Sequence, residues 1–150
     1  MIRSQLTATA CAAMACVFTL AASAQQPPMA KGDPREGVSL SAAEVETLLT
    51  GMRTYLESIQ GIVAAMAENE MARIPDFAAK SGAKLLHGTT PLTGLKVPLG
   101  FSSMAFDTHD KFDKLAAKAK RGTSRGEVLT DLRDIMGNCI SCHAAYRLAK

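Results

Sequence analysis

Cys139-Ile140-Ser141-Cys142-His143 is the stretch of this chain richest in chemistry. Two thiols separated by two residues can both be reached from one helical turn, and an imidazole directly follows the second. Thiols at this spacing can add across the two vinyl groups of a porphyrin. The neutral imidazole nitrogen then falls under the iron as a proximal ligand. At ordinary residue usage, chance produces such a pentapeptide in about one chain per thousand of this length. Three other uses of the same residues stay open. A thioredoxin-type pair needs a βαβ context with the first thiolate at a helix N-terminus, whereas this pair lies toward the end of a helical pattern. A structural zinc site wants four ligands, and His87 and His109 are poorly spaced to complete one. A plain disulfide leaves His143 without a role.

The elements that must position these residues come from a chain of 150 residues, 47% hydrophobic and 21% charged. That is enough for one globular domain with a core. Trp is absent and aromatics make up only 5%, so the core needs aliphatic bulk or bulk from a bound group. Residues 1–24 read as an export signal. Arg3 gives a positive start, residues 6–22 are apolar and Ala-rich, and Ala22-Ser23-Ala24 offers a small-x-small cleavage site before Gln25. The stretch is short and diluted for a membrane anchor. Cleavage would remove Cys11 and Cys16, leaving Cys139 and Cys142 in an oxidising, periplasmic compartment. The formal charge would fall from +3 to +2, too small a balance to suggest nucleic acid.

Residues 25–40 hold Pro and Gly without periodicity and read as a flexible N-terminal leader. Residues 41–150 carry four helical patterns. The first opens on Ser41 with Glu44 three residues on, a capping box. Its stripe is Val45, Leu48, Leu49, Met52, Leu56, Ile59, Val63 and Met66, sustained to about Asn69. Gly51 and Gly61 interrupt it and suggest a neighbour's close approach. The second is shorter, from Pro75 to Leu86, with His87 exposed at its end. A loop with Pro91, Gly94 and Pro98 follows. The third, 102–120, buries Phe101, Ala105, Thr108, Phe112, Leu115 and Ala119, with His109 flanking that face and partly exposed. The fourth starts at Ser124 with Glu127 at the matching position. It carries Val128, Leu132, Ile135, Cys139, Cys142 and Tyr146 on one stripe almost to Lys150. Met66, Met104 and Met136 read as core. No strand pattern stands out, so the fold class is all-α.

Cys-x-x-Cys-His on a last helix, followed by Tyr146-Arg147, resembles the class II cytochromes c, which include the cytochromes c-prime. The likeness covers residues 38–150 in the order of elements; only the stretch from Cys139 to Arg147 is specific residue by residue. It implies an antiparallel four-helix bundle with one haem c attached through Cys139 and Cys142 and its iron ligated by His143. It also implies that a residue of the first helix covers the distal face. Met52 occupies the corresponding turn, and a thioether there would raise the reduction potential. Ordinary core filling is the other use of Met52, and Leu49 and Leu56 are the competing distal residues. The family's Arg sits about a turn before the distal residue, whereas Arg53 here directly follows Met52. The register of the distal residue is therefore open by a few positions; Arg53 is separately a candidate partner for a haem propionate. Arg147, four residues after His143, would approach the proximal side of the ring or complement the helix dipole.

The expected function is single-electron transfer by an exported monohaem protein, not an enzyme. The chain shows no nucleophile–base pairing, carboxylate cluster or phosphate loop. Partners would be exported or membrane-bound redox proteins, with a homodimer implied by the resemblance. Lys111, Lys114 and Lys118 form a basic line that either docks an acidic partner or is a solvated face. Two alternatives are a five-coordinate member that binds nitric oxide or carbon monoxide and a haem-free helical thiol-redox or binding module.

Overall fold

The computed structural model describes residues 32–88 and 96–149. The expected export signal and its cleavage site lie outside the described residues. The chain divides into two units, Met1–Asp33 and Pro34–Lys150, and every element below belongs to the second. It is mostly helical: β1 (Glu36–Val38), α1 (Ala42–Ala67), a 3-10 turn (Met71–Arg73), α2 (Ile74–Lys80), a second 3-10 segment (Ala83–Gly88), α3 (Leu99–Lys120), α4 (Arg125–Ala145) and β2 (Tyr146–Leu148).

The two long helices with capping boxes begin where the sequence places them. The Ser41 N–H donates to Glu44 Oε2 at 2.8 Å and the Glu44 N–H to Ser41 Oγ at 3.3 Å. Ser124 and Glu127 repeat the arrangement at α4. Each box satisfies amides that a helix start leaves without carbonyl partners. At the far end of α1, Asn69 takes φ +62°, a left-handed position that Asn tolerates. The Asn69 and Glu70 N–H groups then bond back to Met66 and Ala65 carbonyls, which closes the helix as a Schellman turn. Gly122, at φ +88°, gives α3 its stop.

Three expectations are corrected. The second helix is only Ile74–Lys80, not a helix to residue 86. Ser81 breaks it, because its hydroxyl bonds Ser58 Oγ at 2.8 Å and the Thr54 carbonyl at 3.2 Å. The Asp113 carboxylate takes the Ala83 N–H at 2.9 Å. The last helix ends at Ala145, because Tyr146 turns extended (φ −126°, ψ 151°). The strand that follows pairs in parallel with residues assigned to a flexible leader, in the register Glu36↔Tyr146, Gly37↔Arg147 and Val38↔Leu148. Backbone pairing supplies the order that a pattern-free sequence does not advertise.

The core is Ile62, Ala65 and Met66 of α1, Ile74 and Ala78 of α2, Phe112, Leu115 and Ala116 of α3, and Val128, Leu132 and Ile135 of α4. Each large member contributes about 1.5–3 kcal/mol by leaving water. Met66 joins it as expected, but Met104 is only half-buried and Met136 is 41% exposed. The core is confined to one half of the helices. No helical residue in 42–57, 99–107 or 136–145 is buried, whereas 58–66, 108–116 and 128–135, together with Ile74, Pro75 and Ala78 of α2, hold the dry helical positions. Contacts between α3 and α4 pair Lys118 with Asp131 and Lys111 with Asn138, and Phe101 of α3 meets Tyr146 at the start of β2.

Candidate functional site: the accessible half around Cys139–His143

Cys139, Cys142 and His143 all fall in the half of the helices that lacks a dry core. Ile135, fully buried, is the last core residue of α4; one turn on, Cys139 leans back to the Ile135 carbonyl through its thiol. Both thiols are half-buried. Burial raises the Cys139 thiol above the ordinary range, and burial with the neighbouring Cys139 raises Cys142. Both sulfurs therefore stay protonated at neutral pH. His143 is exposed, in the last turn of α4.

The end of α4 leaves carbonyls that need donors. Tyr146 N–H takes the Cys142 carbonyl, and Arg35 Nη1 donates to the His143 carbonyl at 3.1 Å. Arg35 reaches it because β1 begins at the next residue and is locked beside β2. Tyr146 itself packs edge-on against Phe101 at 5.5 Å. A Cβ placed at Gly100 would meet the Tyr146 hydroxyl oxygen at 2.5 Å, so Gly100 is what lets that hydroxyl sit over the first turn of α3.

Facing the thiols from α1 is Tyr55. Its phenol is pushed above the usual range by burial first and then by Cys139 and Cys142, so the ring lies within electrostatic reach of both sulfurs. It stacks on Phe112 at 5.8 Å and meets His109 edge-on at 5.3 Å. Met52 is half-buried on the same face, one turn toward the accessible end, along with the half-buried Leu48 and Leu49. A side chain at Gly51 or Gly137 would meet nothing within 4 Å. Leu56, 68% exposed, points elsewhere and drops out as a distal residue.

Arg53 is exposed on α1 and paired with Glu46 at 3.2 Å. Arg147 is not one helical turn beyond His143: it belongs to β2, opposite Gly37, with Nη1 donating to the Leu148 carbonyl at 3.4 Å. His109, expected to be partly exposed, is 3% exposed and bonded at both nitrogens. His87 is exposed as expected. Lys111, Lys114 and Lys118 pair with Asp107, Asp110 and Asp131, so the basic line carries its own counter-charge.

Tyr55 and Arg35 are the site's neighbours that sequence reading overlooked, and His109 was read as flanking the inner face when it is buried on it. Tyr55 had a signal, since it follows Met52 by three. Arg35 had none, being 108 residues from its partner.

Among the described residues no three His, Cys, Asp or Glu side chains come together as a bare-metal site. None of the described helices is long and apolar enough to cross a membrane. The chain matches no protein-family model, no curated protein and no solved structure.

Proposed function

We propose that this chain is an exported, periplasmic c-type cytochrome of the class II pattern, an antiparallel four-helix bundle that carries single electrons on one haem c. The reading rests on one observation. Cys-x-x-Cys-His sits on the last helix within the half of the molecule whose helices bury no side chain. Four amphipathic helices that leave so much inner surface accessible fit a large apolar ring between them. One helix pair supports the antiparallel part of this reading: residue numbers fall on α3 as they rise on α4, from Lys118–Asp131 to Lys111–Asn138.

Cys139 and Cys142 would hold the group as thioethers, with His143 as proximal and Met52 as distal iron ligand. When bound, the iron would supply one-electron chemistry. The remaining residues do simpler work. Ile135, Phe112 and Tyr55 close the dry side of the site against water. Arg35 fixes the backbone of His143 and sets a cation at the helix C-terminus. Leu48 and Leu49 flank Met52 with apolar surface. Arg147 and Arg53 keep no assigned contact with the group: the first is held in β2, the second at Glu46. Partners would be exported or membrane-bound redox proteins.

The raised thiols count against a thiol-redox module, which needs a lowered thiol to act as nucleophile. The sparse donor set counts against zinc. The test is the mass and the oxidised and reduced spectra of the protein purified from its exported form. The expected result is one covalent haem per chain, and a low-spin spectrum with a sulfur-to-iron band if Met52 is the sixth ligand. Cys139→Ser with Cys142→Ser should abolish covalent attachment. A colourless protein with the mass of the bare processed chain would overturn the reading.

A further inference from the structure

His109 is a buried titratable side chain with a defined hydrogen pattern. The Ser81 carbonyl can only accept, so His109 Nδ1 carries the hydrogen in their 2.8 Å bond. In the neutral ring Nε2 is then a bare acceptor, and the Tyr55 hydroxyl donates to it at 2.7 Å. Tyr55 holds that proton firmly, because burial and the two nearby sulfurs oppose its ionisation. The pair has a second state that needs no backbone movement. With a proton on Nε2 the imidazolium donates at both nitrogens, the Tyr55 oxygen accepts, and the phenol hydrogen rotates out of the pair.

The surroundings decide when that second state is reached. From α1 the facing group is Tyr55; from the turn after α2 it is the Ser81 carbonyl. On α3 itself Asp113 lies one turn on, its carboxylate engaged by the Ala83 N–H. From α4, Cys139 and Cys142 act on Tyr55. A cation buried here costs free energy unless opposite charge arrives nearby. The side of Tyr55 that faces Cys139 and Cys142 is where the function above adds negative charge, one electron at a time.

We propose that the Tyr55–His109 pair is a proton site linked to the electron site, His109 binding one proton at Nε2 as the protein gains an electron. This rests on the electron-carrier reading. On reduction, the electron comes from a redox protein and the proton from solvent; on oxidation both leave. The electron stabilises the imidazolium and the imidazolium stabilises the reduced state, with equal coupling in both directions. The reduction potential therefore falls as pH rises wherever proton uptake accompanies the electron.

The test uses the haem-loaded protein. Its midpoint potential is measured against pH in the wild type and in His109→Gln, whose amide oxygen can still accept from Tyr55 but cannot titrate. In parallel, the His109 ring protons of the wild type are titrated by NMR in both redox states. Support is a falling potential in the wild type, a flattened slope in H109Q, and a His109 titration displaced to higher pH on reduction. An equal slope in both proteins, or the same His109 titration in both redox states, overturns the proposal, and the NMR arm decides it even if H109Q does not fold. A coloured protein with these negative results loses only this inference; a colourless one loses the electron-carrier reading as well.

Discussion

At the scale of single residues, two glycines of α1 that look alike in sequence do opposite things. A Cβ at Gly61 would collide with the Phe77 ring. That ring cannot swing away freely, since Arg73 and Lys80 lie over it at 5.3 and 5.2 Å. A Cβ at Gly51 meets nothing within 4 Å. Gly61→Ala is therefore expected to lose about 1–3 kcal/mol to overpacking, more than the helix propensity of Ala returns. Gly51→Ala should gain up to about 1 kcal/mol in the haem-free chain. Urea unfolding of the two variants checks the pair, and a Gly61→Ala variant as stable as the parent would refute the close approach. The candidate site divides in the same way. Cys139, Cys142 and His143 were legible because their chemistry is local, five consecutive residues with one spacing. Arg147 was misplaced on a helix because its setting depends on a strand 110 positions back in the chain.

At the scale of elements, the starts of α1 and α4 could be read because a cap is a matter of four neighbouring residues. The break at Ser81 and the end at Ala145 could not, since each is enforced from another element: Thr54 and Ser58 in the first case, β1 in the second. The α1 cap also carries a pH signature. Glu44 is held down to about 2 from an ordinary 4.5, first by the Ser41 backbone N–H and then by the Lys96 ammonium and the Ser41 hydroxyl. A carboxylate lowered in the folded state contributes its full stabilisation above its unfolded value, and that contribution disappears as pH falls through the folded one. The first turns of α1 should thus loosen between about pH 4.5 and 2, seen as lost helical circular dichroism. Glu44→Gln should flatten that acid limb, because an amide does not titrate there. If the limb is identical in both proteins, the capping carboxylate is not its source. Glu127, lowered by the same kind of contact with Ser124, adds a contribution of the same sign that the Glu44 variant leaves in place.

At the scale of the whole described unit, the uneven core is the feature with the largest consequence. Local opening costs little where few apolar contacts are buried and approaches the global unfolding cost where a dry core holds the backbone. In the chain without its group, the amides of 58–66, 108–116 and 128–135 should resist hydrogen exchange, while those of 42–57, 99–107 and 136–145 exchange early. The β1–β2 pairing and the Arg35 bond to His143 tie only the extreme end of α4 and cannot substitute for missing inner contacts along it. A ring held by Cys139 and Cys142 would bury the inner faces of both halves and bind only the folded state, so it should slow exchange in the second set far more than in the first. Exchange mass spectrometry on the haem-loaded protein and on the Cys139→Ser/Cys142→Ser variant measures this difference segment by segment. Protection spread evenly along all four helices in the double variant would mean that the helices close on themselves without a guest, and the space assigned to the haem would not exist.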